Sequence, residues 1–430
     1  FLLVLVFLSF LFLRTWLLPK TIPFGWDQER DAKIISKIIQ GQSLPLIGPR
    51  VVGDNGFYLG PYFFYLLLPF YALTSLNPIA IVYFVIFVAI VFFVTTYFSF
   101  EKNFTQKIAL IYLFIWGVLP LTVNIDRIAW NPLLIPLCFS VIILMLKNKK
   151  NVYLYYLILG FILGVTLHLL FQGIFYSIFT LAYIYKENKK DLKNIPFILL
   201  GFLVSFTPLI IFDLRHSFIN SHLLVNFFFS PSSTPRSLLS FVPVWVNFIG
   251  KLSGINNYIF AILIWLLLLI YAFLRRKTPF FFASTVIILI TPIAFALYGR
   301  RPSEYYFTYL LPIIVLFVSF VLSRINLSSF IFTIVIVLSS YFSFGQIKED
   351  SLSLFYKDQI VREAKTILRD QPVYVTYDTP LGQNNGFDYL IFYHRINRSE
   401  DSTRPGVQFI IPRRDSLPSS GNISLFIPEL

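Results

Sequence analysis

Charge is what this chain has least of. Asp, Glu, Lys and Arg make up 13% of its 430 residues, against 57% hydrophobic ones. A soluble domain carries about a quarter charged residues, so an ordinary water-soluble globule is excluded. Cysteine is almost absent. Cys138 stands alone inside an apolar run, which rules out an internal disulfide and a thiolate metal cluster and leaves a packed, inert thiol. Repeats and low-complexity tracts are also missing, and with them the two related halves common in transporters.

What is present is apolar length. A membrane-spanning helix needs about 20 mostly apolar residues, and the chain offers many such windows. Solid apolar runs do not suit a β-barrel, whose strands are short and alternating. The expected fold is an all-α polytopic membrane protein of about 11 transmembrane helices plus juxtamembrane helices. The expected spans are 1–18, 78–98, 106–122, 132–147, 152–167, 170–185, 195–212, 256–274, 279–298, 307–323 and 327–345. Phe1 is not Met, so the N-terminus reads as truncated. No Ala-x-Ala-like site follows 1–18, so a retained first helix is expected rather than a cleaved signal peptide.

The formal charge of +14 points to basic cytoplasmic loops, not to nucleic acid. KNKK at 147–150, KENKKDLK at 186–193 and RRK at 275–277 would face the cytoplasm. Alternation then puts 19–77, 123–131, 213–255, 299–306 and everything after 345 outside. The apolar segment 60–78 carries Pro69, and counting it as a span would invert that scheme. It is expected to lie at the outer interface. The tail, 346–430, has ordinary charge. It is expected to form a small extracytoplasmic α/β domain, with strands at VYVTYD and GVQFIIP and a helix at FDYLIFYHRI. The domain expectation is therefore 1–345 and 346–430.

The first outer loop is dense in charge: FGWDQERDA holds Asp27, Glu29, Arg30 and Asp31. Ala32, Ile34, Ile35, Ile38 and Ile39 follow at helical spacing. Asp27 would begin a helix lying along the membrane, where it is also a good N-cap. Other outer loops add Asp126 with Asn131, Asp213 with Arg215 and His216, and Arg300 and Arg301 with Tyr305 and Tyr306. His168 falls near the outer end of a span. Each has a plainer reading: polar loops, a core histidine, a helix end that snorkels, and Trp26 and Trp130 as interface anchors. Taken together, a carboxylate among guanidiniums at the outer boundary suits a lipid-linked phosphate, which arginine grips bidentately. The carboxylate would then serve as general base.

DQERDA, GQSLPLIGP and GFYLGPYFFYLLLPF, with IDRIAWNPLLIP, TLHLLFQGIF, PLIIFDLRHSF and RRPSEYYFTYLLP further on, resemble bacterial family-39 glycosyltransferases. These are integral-membrane GT-C enzymes related to protein O-mannosyltransferases and lipid A aminoarabinose transferases. The resemblance implies transfer of a sugar from a polyprenyl-phosphate donor to a lipid, glycan or protein acceptor outside the cytoplasm. It assigns the catalytic aspartate to Asp27 and the arginine three positions on to Arg30. Leu59-Gly60-Pro61 stands where the family has a Lys-Pro-Pro, so Arg50, Arg300 or Arg301 would meet the phosphate in the lysine's place. Asn131 occupies the position of a later aspartate. Asp27 with Asp126 or His168 offers a place for a divalent ion. The rival readings are a polysaccharide polymerase or ligase using a similar donor, and a non-catalytic lipid-sugar transporter.

Overall fold

Helices account for most of the chain, and their breaks follow its prolines. A computed structural model describes residues 1–51, 56–146, 152–229, 237–298, 302–325, 329–368, 371–379, 382–401, 406–410 and 424–426. Every expected span corresponds to an apolar helix or a broken pair of them. Among the described residues two helices are long and apolar enough to cross a membrane alone, Ala80–Asn103 and Pro279–Tyr298. Two bent pairs reach that length together: Lys189–Ser205 with Thr207–Arg215, at 57°, and Leu239–Ser253 with Tyr258–Leu274, at 89°. The others are apolar helices of 10–17 residues or, at Val152–Leu169, 18 residues.

The expected spans 106–122 and 195–212 are both interrupted. Leu119 is extended ahead of Pro120, and the helix restarts as Pro120–Ile125. Phe206 ends one helix, and the next opens on Thr207 and Pro208. A proline disfavours helix for the residue before it and lacks the N–H that would continue the ladder. The first expected span also ends early. Leu2–Thr15 stops at Trp16 and Leu17, the latter at φ 52, and a short helix Leu18–Thr21 follows.

Tyr62–Leu73 is an apolar helix of 12 residues with Pro69 inside it. Leu59, just before it, lines the cavity described below. Leu76, just after it, accepts a hydrogen bond at its carbonyl from Tyr389 of the tail.

The tail carries the helix Leu354–Leu368, then β1 (Val373–Asp378), the helix Phe387–Tyr393, β2 (Arg398–Ser399), β3 (Gly406–Ile410) and β4 (Ser424–Phe426). Strand order is β2-β1-β3-β4, parallel except between β3 and β4. β1 and β3 are the two strands read from the sequence. β2 and β4, at two and three residues, are too short to leave an alternating pattern. The tail packs on the stretch leading to Asp27. Asp350 N donates to Lys20 O at 2.9 Å, and Leu354 N donates to Ile22 O at 3.0 Å.

Candidate active site

Asp27 lies in the first turn of the helix Trp26–Ile39, but it is not the cap. Gly25 is the N-cap, and the Gln28 side chain accepts its N–H at 3.1 Å. Gln28 is anchored in turn, its amide donating to Ala129 O at 2.9 Å. The Asp27 carboxylate is thus spared from capping and turns outward, its side chain 47% exposed. Arg30 Nη1 donates to it at 2.7 Å.

The buried face of this helix differs from the apolar stripe expected. It consists of Gln28, Glu29, Asp31, Ala32, Ile35 and Ser36, while Ile39 is exposed. The acidic residues go inside because partners wait there. Arg30 binds Asp31 through Nε at 2.8 Å and Nη2 at 2.6 Å, so one guanidinium bridges two carboxylates. Burial pulls Arg30 down, but Asp31 and Asp27 outweigh it and hold the group above its ordinary value. Burial pushes the Asp31 carboxyl up to about 7 against the pull of Arg30. Glu29 turns to the tail, accepting N–H bonds from Gly386 and Tyr389.

Asp27 and Arg30 open into a cavity of about 190 Å³. One wall comes from 49–51 and 57–59, where Leu59 N donates to Pro49 O at 2.9 Å and Arg50 stands opposite Tyr58. The guanidinium of Arg50 lies 5.5 Å from the Tyr58 ring centroid, and its Nε donates to Gly56 O at 2.8 Å. The other walls come from Trp130 and Asn131, from Leu169 to Gln172, and from Tyr298, Tyr305 and Tyr306. Trp130 and Tyr305 meet at 5.5 Å between centroids, and the Tyr298 and Tyr306 hydroxyls at 3.1 Å. Burial raises the phenols of Tyr305 and Tyr306 well above their ordinary value, so both stay neutral hydrogen-bonding groups. The arrangement offers a half-exposed carboxylate, two guanidiniums and an aromatic wall around a space of sugar size.

No protein-family model matches the chain, and no curated protein matches it in sequence. Solved structures do match. ArnT from Cupriavidus metallidurans, bound to undecaprenyl phosphate, superposes with a TM-score of 0.58 at 11% identity, over 96% of this chain and 92% of that one. The fold is that of GT-C membrane glycosyltransferases. The Archaeoglobus fulgidus oligosaccharyltransferase complexed with Zn and sulfate gives 0.50 at 15% identity, over 94% of this chain and 62% of that one. AglB from the same organism, with an inhibitory peptide and a dolichol-phosphate, gives 0.50 at 13%, over 94% and 64%. This chain therefore spans less than two thirds of those oligosaccharyltransferases.

Within this GT-C frame, Asp27, Arg30, Arg50, Asn131, Tyr305 and Tyr306 come together from distant parts of the sequence. Arg300 and Arg301 lie outside the described residues. The remaining candidates point elsewhere. Asp126 does not line the cavity. It takes Arg14 through Nη2 at 2.7 Å and Nε at 3.0 Å, and Trp116 Nε1 at 2.9 Å. Asp213 accepts from the Asn220 and Ser221 backbone N–H groups and the Ser221 hydroxyl. That folds the turn 216–221 so that Asn220 clamps both backbone groups of Tyr58. Asp213 thus shapes the cavity wall from behind. Arg215 and His216 are exposed at the end of the helix Thr207–Arg215. His168 is buried between Tyr62 and Phe206. It packs on Gly60 so closely that a Cβ there would fall 1.6 Å from its Nδ1.

These placements do not fit a divalent ion held by Asp27 with Asp126 or His168. Asp126 is committed to Arg14, His168 to a packed interior, and Asp27 to a cation. Among the described residues no three His, Cys, Asp or Glu converge on one point. Sequence reasoning missed Gln172 and Tyr298 and treated Trp130 as an anchor. Gln172 sits in TLHLLFQGIF, one polar residue in an apolar run, and that was its only signal.

Proposed function

We propose that the protein transfers a sugar from a polyprenyl-phosphate donor to an extracytoplasmic acceptor, with Asp27 as general base. The carrying observation is the Asp27 carboxylate, free of any capping role, facing a cavity that also holds Arg30 and Arg50. The donor's phosphate would lie against the guanidiniums and its sugar against Trp130, Tyr305 and Tyr306. Asp27 takes the proton of an acceptor hydroxyl or amine. The acceptor's electron pair forms the new bond to C1 from the face opposite the phosphate. The bond from C1 to the phosphate oxygen breaks, its electron pair stays with the phosphate, and the configuration inverts. Arg30 and Arg50 stabilise the charge that develops on the leaving group. The undecaprenyl phosphate held by ArnT and the dolichol-phosphate held by AglB support this donor class.

Sidedness finds support in three helices. Val152–Leu169 ends at the cavity, Ile174–Glu187 starts beside it, and Pro279–Tyr298 ends in it. Their other ends adjoin KNKK, KENKKDLK and RRK in the sequence. At 1.5 Å per residue, the helices of 14 and 20 residues separate KENKKDLK and RRK from the cavity by roughly 20–30 Å. With positive charge inside, the cavity faces out, and the tail packed beside Asp27 would be an extracytoplasmic domain. The test is direct. Purified protein in detergent is given radiolabelled polyprenyl-phosphate hexoses and pentoses with a membrane extract. Sugar transfer to extract components with release of polyprenyl phosphate is expected. Binding without turnover for every donor would sink the reading.

A further inference from the structure

Phe24 and Glu29 flank Asp27, and both are held by the tail. Glu29 has its side chain 8% exposed and both oxygens engaged. Oε2 accepts from Gly386 N at 2.5 Å and Oε1 from Tyr389 N at 2.9 Å, with Lys33 Nζ also 2.9 Å from Oε1. Phe24 O accepts from Lys357 Nζ at 3.0 Å. Lys357 is 2% exposed and also donates to Asn385 O at 2.6 Å and Gln383 O at 3.4 Å. The turn 383–386 is thereby tied to the chain on the near side of Asp27, and the helix that follows it to the far side.

The contact tolerates little else. Gly386 has φ +98, a left-handed conformation that favours glycine, and a Cβ there would lie 2.1 Å from Phe24 O. Burying a carboxylate and an ammonium is costly, and apolar residues would hold two surfaces together at least as well. Directional bonds add a fixed register. Asp27 needs one, because its own side chain is restrained only by Arg30 among the described contacts, and a displacement of about 1 Å at a reacting group can cost 100-fold in rate.

We propose that Glu29 is a positioning residue, through which the Gly386 and Tyr389 amides of the tail fix Asp27 relative to the cavity. The proposal rests on Asp27 being the base. It assigns the tail a part in turnover that is separate from binding the donor, since no described residue of the tail lines the cavity.

The test compares Glu29→Ala, Glu29→Gln, Gly386→Ala and Asp27→Asn in the full chain. It uses a radiolabelled polyprenyl-phosphate hexose, reading kcat and the donor KM, with amide hydrogen exchange over residues 24–31. In Glu29→Ala, kcat should fall roughly 10- to 100-fold, the donor KM should stay within about twofold, and exchange over 24–31 should rise. Glu29→Gln keeps one carbonyl acceptor but sets an NH2 donor against the other backbone N–H, so it should recover only part of the rate. Gly386→Ala should reproduce the loss from the other side of the contact, and the double variant should lose little more than either single one. Unchanged kcat in Glu29→Ala beside a dead Asp27→Asn would overturn the positioning role alone. So would a loss confined to the donor KM. An active Asp27→Asn would instead overturn the reading of Asp27 as base.

Discussion

Two arginine–aspartate clusters sit a short way apart in this chain, and they differ in what is left over. Arg14 is wholly buried in the first helix. It gives two bonds to Asp126 and others to the carbonyls of Gly117 and Trp116, with its guanidinium 3.8 Å from the Phe10 ring centroid. Trp116 Nε1 adds a third bond to the same oxygen, Asp126 Oδ2. The Asp126 side chain is 10% exposed and does not line the cavity, so the bonds of this cluster serve the packing of the first helix on the Gln106–Val118 helix. Around Arg30 the count is uneven. One guanidinium serves two carboxylates, and Asp27 is half exposed toward a cavity. A closed pair holds a fold together. An open one keeps capacity for a ligand and a proton.

The largest effect should come at the open cluster. Asp27→Asn keeps shape and removes the charge. Because Gly25 and Gln28 close the helix start, the variant should lose almost no stability. Transfer should fall by roughly two to four orders of magnitude while donor binding persists. Near-normal turnover in a folded Asp27→Asn protein would erase the distinction between the clusters.

The same substitution at the closed cluster should do the reverse. Asp126→Asn leaves Arg14 charged and buried, and removing one partner of a buried pair costs about 3–5 kcal/mol. Expression and thermal stability in detergent should drop sharply. Turnover per folded molecule, measured on the fraction that survives size exclusion, should stay within a fewfold of the parent. A well-folded Asp126→Asn protein with abolished transfer would move Asp126 back among the working residues.

The sequence distinguished these clusters only in part. Apolar runs and their prolines located the helices, and the charge knot at 27–31 was legible because little else nearby is charged. Arg14 was not read at all, since one cation in a first apolar run looks like a snorkelling end. Asp126 looked functional because its partners come from residues 14 and 116, contacts that no local pattern records. The same limit hid part of the cavity's aromatic wall, although Tyr305 and Tyr306 were legible beside Arg300 and Arg301. Tyr298 and Tyr305 belong to separate segments, and Trp130 resembles any interface tryptophan until its neighbour Tyr305 is known. Glu29 and Asp31 stood with Asp27 in the same charge knot. Their burial against the tail and against Arg30 follows from how the helix is rotated, which its isoleucines alone predicted wrongly.

The smallest effect is a difference in sign between two like substitutions. Asp31 is buried, and its carboxyl is held at about 7 in the folded protein, chiefly by burial, with Arg30 opposing and Asp27 adding to the rise. Its unfolded value is near 3.8. The folded state therefore binds more protons between these values, and the stability this group contributes is lost as pH rises through about 7. Asp31→Asn removes that loss. It does not strand Arg30, which retains Asp27. The variant and the parent should melt closest together near pH 3, below the unfolded value, and the variant should melt higher at pH 8. Asp126→Asn should melt lower than the parent at pH 8, because Arg14 has no second carboxylate among the described residues. The check is intrinsic-fluorescence melting of all three proteins in one detergent at both pH values. A gap between Asp31→Asn and the parent that does not change with pH would mean Asp31 is ionised throughout. The bridge through Arg30 would then be as closed as the pair at Arg14.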